Sequence, residues 1–448
     1  MQGRWSRTVL LGGAVALLVV SLADVASAEA PEAVPTFAEE VAPILYENCV
    51  TCHRSGEIAP MSLITYAETR PWSRSIKNQV MSGQMPPWHA DPAVGRFTNE
   101  RRLTAAEKDT LIRWADGGAP EGDSASLPPV PTFADGWQFG TPDVVIKMPE
   151  SFEVPAKGEV AYQYFSSPTN FTEDTWVKAI EVRAGARSVV HHMLVYLKDP
   201  DGPGPERAYK DVPVDDRHKA LVARRRAREE KRASHDEAPA RDGNGPGVLI
   251  GTMAPGSNPI VFAPGTALLI PKGAELMFQV HYTATGTATV DRSMIGMSLV
   301  DQPPTREMRA GQFINPAFEI PPGASDERVD TMIEFTEGTE IFAIFPHTHV
   351  RGTRWEYQAT YPDGRSERVL SIPNYDFNWQ TYYVLEEPLV VPKGATLEAS
   401  AWYDNSTANK ANPDPTIPVG WGEQTWEEMQ YTGIYYSVSA ATPSTNDQ

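Results

Sequence analysis

Residues 271–282 read PKGAELMFQVHY, and residues 392–403 read PKGATLEASAWY. Each stretch opens on a Pro-Lys-Gly-Ala turn and continues through the same number of residues to a tyrosine. A Pro-Asp-Gly turn lies upstream of each stretch, at Pro200 and Pro362, and a pair of histidines precedes each of these turns. The shared order of three features predicts two domains of similar topology.

Both copies lie in a region of short β-type runs that alternate with proline and glycine turns. This pattern is typical of an all-β sandwich. We therefore predict two jelly-roll-like β-sandwiches, over residues 141–300 and 301–440, followed by a tail at 441–448. The runs that carry the prediction are Val189–Leu197, Leu276–Tyr282, Glu340–Val350 and Thr381–Val384.

The first copy carries an insertion. Between the corresponding prolines it is longer than the second copy by 41 residues, and this excess coincides with a charged stretch at about 206–244. Such a run predicts an exposed helix or a mobile loop, with a partner-docking site as the alternative. His218 and His235 lie within it, and the pattern indicates no role for them.

The N-terminus has the pattern of a secretory signal peptide over residues 1–28. Arg4 and Arg7 precede an apolar run from Val9 to Leu22, and small residues around Ala28 fit a cleavage site. An uncleaved membrane anchor is the alternative, although the run is short for a full span. We expect a periplasmic or secreted bacterial protein.

Residues 29–123 form a helical segment. Thr104 and Glu107 make a capping box, and the helix that they begin ends at Gly117. Residues 124–140 are rich in proline and small side chains and are typical of a linker. A small all-α domain is therefore expected before the two sandwiches.

The charge of the chain excludes one class of partner. The formal net charge is −19 at pH 7. An acidic surface repels phosphates, so nucleic acid is not expected to bind.

Cys49-Val-Thr-Cys52-His53 is the attachment signature of c-type haem. Two thiols add to the haem vinyl groups, and the adjacent histidine becomes the proximal iron ligand. The chain has no other cysteine. A redox disulfide or half of a zinc site would not require His53.

The other axial ligand is expected in the Met85-Pro86-Pro87 segment. The order of Cys-x-x-Cys-His, Met-Pro-Pro and a final helix resembles small class I cytochromes c over residues 29–123. The resemblance implies Met85 as sixth ligand, and a thioether ligand raises the reduction potential of haem. The alternatives are His89, Met61 and Met81.

Two histidine pairs differ in their geometry. His347 and His349 follow an alternating run, and residues i and i+2 of a strand face the same side. His191 and His192 are neighbours, and neighbours on a regular strand point apart. Joint ligation by this pair therefore requires a bend or bulge.

Four histidine- and methionine-containing motifs resemble the copper type II ascorbate-dependent monooxygenases, the family of peptidylglycine α-hydroxylating and dopamine β-monooxygenase. In chain order they are His191-His192-Met193, Gln279-Val280-His281-Tyr282, His347-Thr348-His349 and Glu428-Met429. The resemblance covers roughly residues 141–437.

The resemblance implies two copper ions. One, for electron transfer, would be bound by His191, His192 and His281. The other, at the catalytic site, would be bound by His347, His349 and Met429. Imidazoles suit both copper oxidation states, and a thioether favours Cu(I).

The sequence departs from the family in two respects. The animal members rely on disulfides, which cannot form here once haem takes both cysteines. The peptide-hydroxylating member has an arginine where this chain has Phe345, and an Asn and a Tyr where it has Tyr431 and Gly433. A glycine-extended peptide is therefore not expected as substrate.

We thus expect an exported haem–copper monooxygenase that hydroxylates a C–H bond of a small organic substrate with O2. Haem would relay electrons to the copper centre from a periplasmic cytochrome or a small reductant. The alternative is a non-catalytic periplasmic copper-binding or electron-transfer protein. A blue-copper oxidase needs a cysteine thiolate, and none remains.

Overall fold

A computed structural model describes residues 33–438, apart from 56, 58, 134–135, 201–206, 217, 221–222, 224–246 and 255–256. The expected signal peptide, the C-terminal tail, His235 and most of the charged insertion lie outside the described residues. Among the described residues, no helix is long and apolar enough to cross a membrane.

A short helical turn at residues 218–220 follows the strand Tyr209–Val212, and the other described α-helices lie before the first strand. They are α1 Ala42–Asn48, α2 Tyr66–Thr69, α3 Ser73–Met81 and α4 Ala105–Asp116. Thr104 accepts a hydrogen bond from the backbone of Glu107, whose side chain returns to the Thr104 backbone, so the expected capping box is present. Phe37, Leu111 and Trp114 are buried in a small core. With four short helices, an all-α cytochrome c domain is not evident.

The rest of the described chain is β-structure. The strands are β1 Val144–Lys147, β2 Phe152–Val154, β3 Gln163–Pro168, β4 Thr175–Arg183, β5 Val190–Lys198, β6 Tyr209–Val212, β7 Val248–Met253, β8 Ile260–Val261, β9 Thr266–Ile270, β10 Glu275–Tyr282, β11 Thr289–Asp291, β12 Met294–Val300, β13 Arg306–Ile314, β14 Glu319–Ile320, β15 Glu327–Phe335, β16 Thr339–His347, β17 Gly352–Thr360, β18 Ser366–Ile372, β19 Tyr383–Val391, β20 Thr396–Tyr403, β21 Val419–Gly420 and β22 Tyr431–Val438.

These strands form β-sandwich layers, as the sequence predicts. One apolar core lies between β1-β12-β4-β9 and the sheet β3-β10-β5-β7. A second lies between β13-β22-β16-β19 and the sheet β18-β17-β20-β15-β6. Alternation along β15 shows the cause, because Val329, Thr331, Ile333 and Phe335 are buried while the residues between them are not. Parallel pairing of β9 with β13 joins one layer of each sandwich into a nine-stranded sheet.

The internal repeat corresponds to equivalent turns, each of which connects a strand of one sheet to a strand of the facing sheet, β9 to β10 and β19 to β20. Gly273 and Gly394 both have positive φ, 71° and 85°, which glycine adopts without strain. A Cβ at these positions would lie 3.7 Å from Pro200 and 3.6 Å from Pro362 respectively. Pro200 and Pro362 therefore lie against the two Pro-Lys-Gly-Ala turns in the same way.

The charged insertion begins with an ordered strand. β6 pairs with β15 and thus joins the second sandwich, although it lies between β5 and β7 in sequence. His218, which follows, is buried at 1% exposure. His218 lies in a short helical turn at residues 218–220, in which Lys219 and Ala220 are exposed.

A third apolar cluster joins the two sandwiches. It contains Leu194 and Tyr196 of β5, Phe345 of β16 and Tyr435 of β22. The sheet that carries β5 and β10 thereby packs against the face of β16 and β22. This packing brings the histidines at the start of β5 close to those at the end of β16.

Candidate metal centre

A β-bulge places the first histidine pair. His281 of β10 is opposite His192 of β5, but the next residue, Tyr282, is opposite Val190. His191 is therefore the extra residue of the bulge. The bulge turns His191 and His192 toward a common point. The sequence predicts that these neighbours could bind one metal only if such a bulge were present.

The three histidines form a group that could hold a metal ion. One ligand nitrogen from each of His191, His192 and His281 lies within 4.8 Å of the others. The Nδ1 atoms of His191 and His192 are 3.0 Å apart. Nδ1 of His281 is buried and has no hydrogen-bond partner in the described part of the chain. These converging, partly unsatisfied imidazoles fit a copper ion.

Hydrogen bonds away from this point orient the rings. His191 Nε2 lies 3.0 Å from Asn378 Oδ1, to which it can only donate. That bond leaves the Nδ1 lone pair of His191 free for a metal. His192 Nε2 lies 3.4 Å from the Tyr162 hydroxyl, which similarly directs its Nδ1 inward.

The second pair is buried and is oriented through its other nitrogen. His347 Nδ1 donates to Gln380 Oε1 at 2.7 Å, and His349 Nδ1 donates to the Glu427 carbonyl at 3.0 Å. Both Nε2 atoms then keep a lone pair. Nε2 of His349 is buried without a hydrogen-bond partner among the described residues. The ring centroids are 5.1 Å apart, so this pair also fits a metal.

Met429 lies in the same neighbourhood. It is 8% exposed and belongs to the apolar cluster that contains Phe345 and Tyr431. The rings of these two residues each lie 6.1 Å from the His347 ring. The thioether is thus part of the apolar surround of the second pair.

Glu428, directly before Met429, is a structural residue whose role the sequence motif does not reveal. Its buried carboxylate accepts hydrogen bonds from the backbone nitrogens of His349 at 2.8 Å and Arg351 at 2.7 Å. Burial raises the pKa of Glu428 to about 8, against the opposing effect of these bonds and of the Arg351 charge. Glu428 thereby ties the Met429 segment to the chain around His349.

A single layer of aromatic rings separates the set His191, His192 and His281 from the set His347 and His349. The Tyr162 ring centroid is 4.8 Å from His281 and 6.2 Å from His349. The Phe377 ring is 5.5 Å from His192 and 6.0 Å from His349. Sequence patterns give no sign of Tyr162 or Phe377, because each contacts the sets only through the tertiary fold.

Burial keeps all five imidazoles neutral. It lowers the pKa of His281 to about 3 and of His347 to about 4, and it also lowers those of His191, His192 and His349. Neighbouring imidazoles add to the effect for His192. The neutral imidazole is the form that binds metal.

The haem attachment motif forms one turn after α1. Cys49 and Cys52 are free thiols, and the His53 nitrogen donates to the Cys49 carbonyl at 2.9 Å. His53 Nδ1 is buried without a hydrogen-bond partner in the described chain, as is Nε2 of His89. Met85 is half-buried after α3. Paired free thiols beside an unsatisfied imidazole fit covalent haem.

Asp291 forms hydrogen bonds that stabilise the structure around the β-bulge. Its buried carboxylate accepts hydrogen bonds from the Ala186 nitrogen at 2.7 Å and from the hydroxyls of Tyr282 and Ser293 at 2.8 Å. Ala186 lies in the turn before His191, and Tyr282 follows His281. One carboxylate therefore fixes both strands that carry the three-histidine set.

We expect Asp291→Ala to lower the free energy of unfolding by about 3 kcal/mol, because it leaves buried donors unsatisfied. It should also weaken metal binding by His191, His192 and His281. Denaturant unfolding and copper titration measure the two effects. Ser293→Ala removes one of the three bonds to Asp291, together with the bond from the Gly185 nitrogen to Ser293 Oγ at 3.3 Å, and is the matched control. Unchanged stability of Asp291→Ala would contradict the proposed support.

The C-terminal part of the chain matches a known family. Residues 307–444 match the family described as copper type II ascorbate-dependent monooxygenase, C-terminal domain. This span contains His347, His349 and Met429. The match supports copper and a monooxygenase type of oxidoreductase. No curated protein matches the chain significantly.

Solved structures align only weakly. The major capsid protein P2 of bacteriophage PM2 aligns over 67% of this chain and 99% of its own, with 13% identity and a TM-score of 0.26. An allantoicase aligns over 57% and 81%, with 6% identity and a TM-score of 0.15. An infectious bursal disease virus Gx strain structure aligns over 66% and 72%, with 9% identity and a TM-score of 0.18. These scores do not establish a shared fold.

Proposed function

We propose that the chain is an exported haem–copper monooxygenase that hydroxylates a C–H bond of a small organic substrate. In the overall reaction, substrate, O2, two electrons and two protons give the hydroxylated product and water. The observation that carries the proposal is the convergence of two oriented histidine sets one aromatic layer apart. It is supported by the family match over residues 307–444.

The residues divide into two copper sites. His191, His192 and His281 would hold one ion, and His347, His349 and Met429 the other. Copper bound here would supply one-electron redox chemistry for O2 reduction. The chain itself holds the Nδ1 protons of His347 and His349 on outward acceptors, and it excludes water by burying both rings.

The N-terminal part is proposed to carry one haem c. Cys49 and Cys52 would attach it, with His53 and Met85 as axial ligands. Bound haem would supply a one-electron carrier between a periplasmic donor and the copper sites. The location outside the cytoplasm and the donor, a cytochrome or a small reductant, are parts of the same proposal.

The residues around His347, where a substrate would bind, are mostly apolar. Phe345 is fully buried, and Tyr431 is 5% exposed. A substrate carboxylate would find no cation at Phe345, although a buried carboxylate needs a charged or strongly donating partner. A neutral, partly apolar small molecule therefore fits this surround better than a glycine-extended peptide.

One observation favours a second candidate, a non-catalytic copper-binding or electron-transfer protein. His192, His347 and His349 are at most 2% exposed, and a single aromatic layer separates the sets. Electron transfer benefits from this closeness, whereas a substrate needs access.

Substrate-dependent O2 consumption by the reduced, copper-loaded protein separates the two candidates. We expect at least one small apolar substrate to raise O2 uptake and to acquire an oxygen atom from ¹⁸O2. A glycine-extended peptide, as matched negative substrate, should not raise it. Oxidation of both metals without uptake above background, across the panel, would favour the electron-transfer protein instead.

A further inference from the structure

One loop contacts both histidine sets. It comprises residues 373–382, between β18 and β19. Asn378 accepts the hydrogen bond from His191, and Gln380 accepts the hydrogen bond from His347. Phe377 lies between the sets. The 373–382 loop therefore supplies an orienting acceptor to each proposed metal site.

The same loop also fixes the peptide between His347 and His349. The Tyr375 hydroxyl accepts from the Thr348 nitrogen at 3.3 Å and lies 3.1 Å from the Thr348 carbonyl. A displacement of the loop would thus change the backbone of the second pair as well as its hydrogen bond to Gln380.

Internal hydrogen bonds connect the residues of the loop to one another. Asp376 Oδ1 accepts from both the backbone and the side-chain nitrogen of Asn378, at 2.9 and 2.8 Å. Gln380 Nε2 donates to the Phe377 carbonyl at 3.0 Å. The orienting amides are therefore fixed relative to each other. Their position depends on the ends of the loop and on Tyr375, whose backbone nitrogen donates to the Thr353 carbonyl at 2.8 Å.

Residues 88–100, which lie between α3 and α4, form hydrogen bonds near both ends of the 373–382 loop. At the start, the Asp91 nitrogen donates to the Ser371 carbonyl at 2.8 Å. At the far end, the Asn99 side chain donates to the Tyr382 carbonyl at 2.7 Å and accepts from the Val384 nitrogen at 3.1 Å.

Aromatic packing reinforces this attachment. The Trp88 and Phe97 rings lie 5.0 and 5.5 Å from the Tyr383 ring. Trp88, Ala90 and Phe97 belong to the core of the second sandwich. Residues 88–100 are therefore part of the structure around the metal sites, although they lie within the sequence range of the helical domain.

We propose that Asn99 is a positioning residue for both histidine sets, acting through the 373–382 loop. The inference rests on the two proposed copper sites. Outer hydrogen-bond partners fix the ring orientation and tautomer of metal-binding histidines, and their loss costs about 10- to 100-fold in metal affinity. The Asn99 side chain binds the end of the loop that carries two such partners, beside the backbone bond from the Thr98 nitrogen to the Val384 carbonyl at 2.9 Å.

The test compares copper affinity at each site, measured by chelator competition and by Cu(II) electron paramagnetic resonance. Asn99→Ala should weaken both sites by about tenfold, the lower end of the range for outer partners. Asn378→Leu should weaken the three-histidine site more than the other, and Gln380→Leu should do the reverse, because each also removes one internal bond of the loop. Asn99→Asp keeps the acceptor for Val384 and should recover part of the loss.

Two controls separate positioning from general destabilisation. Asp91→Ala removes only a bond to the Ala93 nitrogen within the segment and leaves the Asp91 backbone bond in place. Asn48→Ala removes side-chain bonds to the Ile44 carbonyl and to Glu107 Oε1 in the helical part, away from the loop. If Asn99→Ala affects only one site, or no more than these variants do, the inference is wrong.

Measurement on metal-free protein keeps this test distinct from the proposed function. Nitrogen-15 shifts of the histidine rings report which nitrogen carries the proton. Asn99→Ala should lower the preference for protonated Nε2 at His191 and for protonated Nδ1 at His347 together. A wild-type protein that binds no copper would overturn the proposed function, while unchanged ring shifts in Asn99→Ala would overturn the positioning role.

Discussion

Replacing His347 and His349 together by alanine is expected to leave one copper ion per chain instead of two. Substrate-dependent O2 consumption should fall by more than about 100-fold, because loss of outer partners alone already costs about 10- to 100-fold. The variant removes both Nε2 ligands and leaves only Met429 of the proposed set. Metal analysis after copper loading and O2 uptake by the reduced protein measure the two effects.

The substitution also has a structural cost. Gln380 Oε1 and the Glu427 carbonyl each lose a buried donor, at about 1–3 kcal/mol each. Circular dichroism and thermal unfolding are therefore needed beside the copper count. His218→Ala is the matched control, because His218 is also a buried histidine but lies outside both sets. A double variant that folds and still binds two copper ions would show that the assignment to His347 and His349 is wrong.

Structural features that depend only on residues close together in sequence could be predicted from the sequence pattern. The identical spacing after Pro271 and Pro392 predicted two domains of similar topology, and the glycine turns of the two repeats have equivalent surroundings. The requirement for a bulge at His191 followed from the alternation of strand side chains, and the register shift lies there. The capping box at Thr104 is equally local.

The remaining features depend on contacts between distant parts of the chain. Asn99 and Tyr382 are 283 residues apart in sequence, and no periodicity connects them. The role of Tyr162 arises because the two sandwiches pack together, not because of its own segment. The same holds for β6, whose charged surroundings predicted solvent exposure but whose strand edge pairs with β15. The position of the N-terminal helical segment against the two sandwiches also depends on contacts between distant parts of the chain.

The position of the helical segment relative to the sandwiches affects how electrons would pass from haem to copper. From the sequence, a donor on a flexible tether over residues 124–140 would act through a raised effective concentration. In the structure, Glu57 near the haem motif forms an ion pair with Arg187 at 2.7 Å. The Gln138 nitrogen, within the predicted linker, donates to Glu181 at 2.6 Å. The haem-attachment motif is thus held beside the turn that precedes His191.

We therefore expect reduced haem to be reoxidised by Cu(II) in the absence of O2, at a rate independent of protein concentration. Rapid mixing under anaerobic conditions measures this rate from the haem spectrum. His281→Ala should slow the phase by more than about 100-fold, because it removes a ligand of the proposed acceptor. The His347→Ala/His349→Ala variant should retain the phase, because the acceptor set is intact.

Linker length distinguishes a docked donor from a tethered one. Doubling the 124–140 segment would lower the effective concentration of a freely tethered donor about threefold, since this concentration falls as the −3/2 power of length. A donor docked through Glu57–Arg187 and the 88–100 segment should show no such loss. Glu57→Gln should instead slow the transfer, and more so in the long-linker protein. If haem remains reduced while both copper ions remain oxidised, the helical part does not deliver electrons to these sites.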